Sequence, residues 1–289
     1  MQTCIGHEIL QSELERLAGL PEMPQSFLFC GPRHVGKRFM AEWFAQRLID
    51  ADHPGDFSQN LLIVEPNEAV SAKRTREQLI PVDTIREAQK FLSLSPVAGK
   101  CRVLIVDGAE KLSTGAANAL LKILEEPPEK SLLILITAEP GSLLPTILSR
   151  LVSMHFHPVS SKVVQKYVVG AQDLPQFFFD LGLPGVVVEA VRSPEQFSVK
   201  KEMLRSLFQL SKLSLYDRMT LAETLAKDER VARDLLEIWC IGLVFQARRR
   251  SGGVSTHYMF LEQVLATLRA LYRGEGSLRS LLEKLFFCL

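Results

Sequence analysis

CRVLIVDGAEKLSTGAANALLKILEEPPEKSLLILITAEPGSLLPTILSR, residues 101–150, is the stretch that decides the fold. It opens on an unbroken apolar run, Val103-Leu104-Ile105-Val106, that ends on Asp107 with Glu110 close behind. A second such run, Leu132 to Ile136, ends on Thr137. Bare apolar runs between polar residues predict strands covered on both faces, as in a parallel sheet. Ala117, Leu120, Leu121 and Leu124 recur at the spacing of one helix face, and Pro127-Pro128 stops that helix. Acids at the carboxyl end of a parallel strand lie where open α/β sheets bind ligands. Strand, acidic tip, helix, strand, polar tip is half of a nucleotide-binding domain.

The other half is predicted upstream. Phe27-Leu28-Phe29-Cys30 is a short buried strand that runs into Gly31-Pro32-Arg33-His34-Val35-Gly36-Lys37-Arg38. A helix follows, with Met40, Trp43, Phe44 and Leu48 on one face. Strand, GxxxxGK, helix is the setting of a phosphate-binding loop. Its backbone N–H groups and the helix N-terminus cradle phosphates, and Lys37 would reach them as a point charge. The eighth position departs from the motif. Arg38 stands where a Ser or Thr hydroxyl would ligate Mg²⁺, and a guanidinium has no lone pair to offer.

Other parts of the first half are read more simply. Ile9, Leu10, Leu14 and Leu17 suggest a first amphipathic helix closed at Gly19. Asp50 to Asp56 is expected to be a loop, and Leu61-Leu62-Ile63-Val64 a further strand. Lys73, Arg74 and Arg76 fit a solvated face better than a binding patch. Asp83 is expected to cap a helix carrying Ile85, Ala88 and Leu92.

Composition narrows the class. At 289 residues the chain has room for two or three domains. Hydrophobic content of 47% and a net charge of +1 fit a globular protein without a strongly basic nucleic-acid surface. Cys4, Cys30, Cys101, Cys240 and Cys288 form no CxxC pair, so neither zinc nor a disulfide framework is expected. No signal peptide or membrane-length apolar run is read, and the cytoplasm is the expected compartment.

Taken with these motifs, several strings are specific. They are Gly6-His7, Val82-Asp83-Thr84-Ile85-Arg86 and Val106-Asp107-Gly108-Ala109-Glu110. To these are added the string from Ala116 to Pro128 and Leu144-Pro145-Thr146-Ile147-Leu148-Ser149-Arg150. Together they resemble the bacterial clamp-loader subunits of DNA polymerase III, within the AAA+ ATPases. The resemblance implies a P-loop α/β domain with a parallel sheet over residues 1–160. A small helical lid over 161–196 and an all-helical collar over 197–289 would follow. It implies that Asp107 and Glu110 take the Walker B positions and Thr137 the sensor-1 position. It also implies that Arg150 is an arginine finger reaching a neighbouring subunit's ATP, a task that suits a fixed guanidinium fork.

The departures from that family pattern bear on the type of subunit. Members that turn over ATP carry Ser or Thr at Arg38 and glycine at His34, and a sensor-2 arginine where Val186-Val187-Val188 stand here. The four-cysteine zinc module of many relatives is not expected, since no cysteine lies between Cys30 and Cys101. The pattern therefore looks like the delta-prime type. It implies ATP or ADP bound weakly or not at all at Gly31, Gly36, Lys37 and Arg38, and no ATPase of its own within the polymerase III holoenzyme. Implied partners are gamma/tau and delta subunits and, through the assembly, the sliding clamp and primed DNA, with no membrane. An active gamma/tau-like ATPase subunit is the alternative. A cation at Arg38 could pair with Asp107 and close the metal position.

In the last third the helical apolar pattern dominates, with Leu204, Leu207 and Phe208, then Leu235, Leu236, Trp239, Leu243 and Val244, then Phe260, Leu261, Val264 and Leu268. Phe177-Phe178-Phe179 and the terminal Phe286-Phe287 are expected in the core. Arg248-Arg249-Arg250 is expected at a helix end.

Overall fold

The computed structural model describes residues 4–49, 54–66, 79–97, 100–168, 174–249, 254–273 and 275–287. Lys73, Arg74, Arg76, Arg250 and Cys288 lie outside them. The chain divides into two compact units, Met1–Val159 and Ser160–Leu289.

The first unit is α1 (Glu8–Ala18), β1 (Ser26–Cys30), α2 (Lys37–Ile49), α3 (Pro54–Asn60), β2 (Leu61–Val64), α4 (Val82–Leu92), β3 (Arg102–Asp107), α5 (Thr114–Glu125), β4 (Ser131–Thr137), α6 (Pro145–Leu148) and β5 (Val152–His155). The strands form one sheet in the order β2-β3-β4-β1-β5, and every pairing is parallel. Each residue of β1 and β4 is buried, as unbroken apolar runs require when helices cover both faces. Leu28, Leu104, Val106, Leu133 and Leu135 meet Ile85, Ala88 and Leu92 of α4 and Leu120, Ile123 and Leu124 of α5. Phe27 points the other way, its ring edge-on to Phe44 of α2 at 5.7 Å, following the two-residue period of a strand.

Three expectations change. The segment expected as a loop is helical from Pro54, because proline suits the first position of a helix and supplies no N–H there. Asp83 is not a cap: α4 starts at Val82 behind Pro81, and Asp83 pairs with Arg86 at 3.1 Å within the first turn. Ile9 faces solvent, while Leu14 and Leu17 carry the buried face of α1.

Every described element of the second unit is a helix. The unit comprises α7 (Ser161–Tyr167), α8 (Gln176–Asp180), α9 (Pro184–Arg192), α10 (Pro194–Phe208), α11 (Leu215–Leu225), α12 (Glu229–Arg249), α13 (Val254–Arg273) and α14 (Leu278–Phe287). Phe178 and Phe179 are buried, and Phe177 stacks at an angle on Phe178 and Phe208. Trp239 on α12 meets Phe260 on α13 edge-on at 5.0 Å. Phe286 is buried, whereas Phe287 faces out. The boundary expected at 196/197 falls within α10, Pro194–Phe208.

Lys200 of α10 ties three helices together. Its ammonium donates to Glu189 Oε2 of α9 at 2.9 Å and Asp234 Oδ2 of α12 at 2.7 Å. Burial alone would lower its pKa, but Asp234 and then Glu189 outweigh that and hold it above the ordinary lysine value of 10.5. The stabilisation is therefore present below pH 10.5 and lost as pH rises through the raised value. Lys200→Met leaves two carboxylates facing each other and is expected to cost about 1–2 kcal/mol, below the fully buried case because Lys200 and Asp234 keep some solvent contact. Urea unfolding at neutral pH measures it, and the difference from the unmodified chain should narrow as pH rises through the raised lysine value.

Candidate functional site

The parallel order brings the carboxyl ends of β1, β3 and β4 side by side, and β1 feeds the loop Gly31–Gly36 into α2. Loop closure depends on backbone that glycine permits. Gly31 has φ 144° and Gly36 φ 102°. A Cβ on Gly31 would lie 2.2 Å from the Phe156 carbonyl oxygen. His34 sits in the left-handed region at φ 61°, a conformation that costs a residue with a side chain roughly 1–2 kcal/mol. His7 fixes the loop from outside, its buried ring nitrogen Nε2 lying 2.9 Å from the Val35 carbonyl.

Within the loop, the cations meet protein oxygens. Lys37 Nζ, buried, donates to the carbonyls of Gly31 and Pro32 at 2.6 Å each. Arg38 Nη1 donates to Glu65 Oε1 at 2.6 Å and to Asp107 Oδ2 at 3.0 Å, and its Nε donates to Glu42. Three elements supply those carboxylates: α2, the end of β2 and the end of β3. Burial pulls the Arg38 guanidinium down, yet hydrogen bonds to Glu65, Glu42 and Asp107 leave it above the ordinary arginine value. Asp107 lies above the ordinary carboxylate value because burial raises it more than Arg38 lowers it.

A second cluster sits beside the first. Thr137 ends β4 buried, its hydroxyl donating to Glu110 Oε2 at 2.7 Å and accepting from the Glu139 N–H at 2.9 Å. Glu110 also faces Arg33 of the loop at 3.7 Å. Gly108, between Asp107 and the turn Ala109–Lys111, takes φ 81° and packs under Pro66.

Asp107 and Arg38 thus share one contact network, and Glu110 and Thr137 share a second. Lys37 is drawn onto the loop itself. Arg150 belongs to neither network. It follows α6, where Nη1 donates to the Thr146 carbonyl at 2.9 Å and Nη2 to Glu125 Oε1 at 3.0 Å, and its side chain is 37% exposed.

Glu42, Glu65 and Arg33 belong to the site although no motif names them. Glu42 was visible as the i+4 partner of Arg38. Glu65 requires the register: Val64 lies beside Val106, so the residue just past β2 comes beside Asp107. As arranged, these residues do not fit a divalent cation, since a guanidinium occupies the place of the hydroxyl ligand and binds the aspartate that would share the metal.

The four cysteines among the described residues are held as thiols by burial at neutral pH. Burial raises the Cys4 thiol to about 12, Cys101 and Cys240 to about 11, and Cys30 upward. No helix among the described residues is long and apolar enough to cross a membrane.

A family model described as "DNA polymerase III, delta subunit" matches residues 6–160. The Pseudomonas aeruginosa DNA polymerase III subunit delta′ is 34% identical over 162 residues, 49% of this chain and 46% of that protein. The Bacillus subtilis DNA polymerase III subunit tau is 33% identical over 174 residues, 55% of this chain and 29% of that protein. The chain spans less than half the length of these curated relatives. Among solved structures, a DNA polymerase III gamma subunit-related protein from Thermotoga maritima superposes with a TM-score of 0.57 at 17% identity, covering 96% of this chain and 97% of that one. RuvB from the same organism gives 0.54 at 16% identity, covering 84% and 88%. These two likenesses are of fold.

Proposed function

The chain belongs to the DNA polymerase III, delta subunit family of bacterial AAA+ clamp-loader subunits, and from that membership we propose that it is the delta-prime-like member of the loader. In this reading it hydrolyses nothing itself and lends Arg150 to the ATP of a neighbouring gamma/tau-type subunit. With a delta-type subunit also in the ring, the assembly opens the sliding clamp and places it on primed DNA in the cytoplasm. Residues 161–196 serve as lid and 197–289 as collar, the surface through which the ring assembles.

The observation that carries this reading is the division of the arginines. Arg38 is committed to Glu42, Glu65 and Asp107 inside the chain's own site. Arg150 rests outside that site on an exposed carboxylate. An exposed ion pair contributes about 0–1 kcal/mol, so little opposes its transfer to a phosphate, where the guanidinium fork is worth far more.

A second reading has specific support. The chain is as similar to the tau relative as to delta′, and it retains Lys37, Asp107, Glu110 and Thr137, so an active gamma/tau-like subunit is the competitor. Co-purification with gamma/tau-type and delta-type chains, followed by assay of ATP turnover, separates the two. Turnover that requires those partners and falls without Arg150, by the share of the site it serves, supports the delta-prime reading. Turnover by the purified chain alone supports the other.

A further inference from the structure

We infer that Arg38 is a built-in replacement for the divalent cation, so that this P-loop is held shut by the chain's own charge rather than merely lacking a ligand. The inference deepens the reading above and rests on it only in treating the site as a P-loop by descent. A phosphate loop that takes Mg·nucleotide needs three things to be free: the hydroxyl position at the start of the helix, the aspartate at the end of the acidic strand, and the lysine ammonium. Here all three are engaged within the protein. The hydroxyl position is the guanidinium itself. Asp107 accepts from it at 3.0 Å. Lys37 donates to Gly31 and Pro32, the loop's own carbonyls.

Carboxylate geometry strengthens the argument. Hard divalent cations are gathered by oxygen ligands from several chain segments. Glu42, Glu65 and Asp107 come from three separate elements and converge on one guanidinium. The guanidinium neutralises one of three negative charges and directs two nitrogens at them. Removing it leaves three carboxylates without their common cation, and Mg²⁺ or Mn²⁺ is the species that would relieve their repulsion. Arg38→Thr restores the motif's hydroxyl as well, so it converts a self-satisfied cluster into a metal-dependent one.

The test compares thermal unfolding and the binding of a fluorescent ADP analogue, each in EDTA and in millimolar Mg²⁺, for the unmodified protein, Arg38→Thr and Arg38→Lys. In the unmodified chain Mg²⁺ should change neither the melting temperature nor the affinity. Arg38→Thr should melt lower in EDTA, recover on adding Mg²⁺ or Mn²⁺, and bind the analogue ~tenfold or more tightly with Mg²⁺ than without. Arg38→Lys keeps a cation in place and should behave like the unmodified chain. If Arg38→Thr folds only with a divalent cation, the inference is supported in its strongest form. Should it fold in neither condition, Arg38→Gln, which removes the charge and keeps much of the volume, is read for the same Mg²⁺ response. A folded Arg38→Thr or Arg38→Gln indifferent to Mg²⁺, or an unmodified protein that binds the analogue in a Mg²⁺-dependent way, overturns it. Neither overturning result depends on Arg150, so this inference and the subunit assignment can fail separately.

Discussion

Arg150→Ala is expected to lower ATP turnover at the neighbouring site of a reconstituted loader by about 10³-fold or more, the range over which an arginine finger acts. The finger neutralises charge that develops on the transferred phosphoryl group, so its loss should appear in kcat more than in nucleotide affinity. Bulk turnover of the assembly falls by the share that the served site contributes. The isolated chain should barely register the change, because Arg150 makes only an exposed ion pair with Glu125 and a bond to the Thr146 carbonyl. A melting curve close to that of the unmodified chain beside a collapsed turnover is the signature of a finger. Arg150→Lys separates charge from shape: an ammonium cannot present two parallel donors, so it should recover little. Unchanged turnover in an Arg150→Ala assembly contradicts the assignment.

Gly31→Ala is expected to have the largest effect on stability. The new methyl would lie 2.2 Å from the Phe156 carbonyl oxygen and 3.0 Å from its carbonyl carbon, with the backbone at φ 144°. Phe156 has little room to yield. Its N–H donates to the Cys30 carbonyl at 2.8 Å, and its ring packs on Phe29 at 5.2 Å and His7 at 4.9 Å. A loss of about 3 kcal/mol or more follows, with a fall of roughly 6–12 °C in melting temperature. Gly36→Ala is the control. At φ 102° it meets only Cys4 Sγ, at 3.8 Å, so it carries the conformational penalty without the collision. Gly36→Ala matching the loss in Gly31→Ala would sink this account of Gly31. The result also bears on how the motif is read. Gly31 is required by packing between β1 and the backbone beyond β5, whatever the loop binds, so the persistence of GxxxxGK is not by itself a sign of nucleotide binding.

Much of the first unit was legible because its buried strands are bare apolar runs. Val103 to Val106 and Leu132 to Ile136 could be nothing else between their polar ends. Strand β5 was not legible. Its four residues, Val152 to His155, lie at the sheet edge with only Met154 buried, so no hydrophobic pattern marks them. Helix α3 was hidden for the converse reason: PGDFSQN has turn composition, and its proline starts a helix rather than breaking one.

The site was legible in part. Arg38 and Asp107 are 69 residues apart, yet their meeting could be anticipated, because a P-loop and an acidic strand tip face one crevice in this topology. Glu65 could not be, since only the register of β2 on β3 brings it beside Asp107. Lys37 turned onto its own loop is likewise a property of the folded backbone rather than of the motif. The resting place of Arg150 on Glu125 joins α5 to the chain after α6, a contact that no spacing rule anticipates.

The most direct measurement is the number of Mg·ATP molecules bound at saturation by a reconstituted assembly containing this chain, counted against its subunit composition. One nucleotide is expected for each gamma/tau-type chain and none for this one. One additional Mg·ATP for every copy of this chain would contradict it.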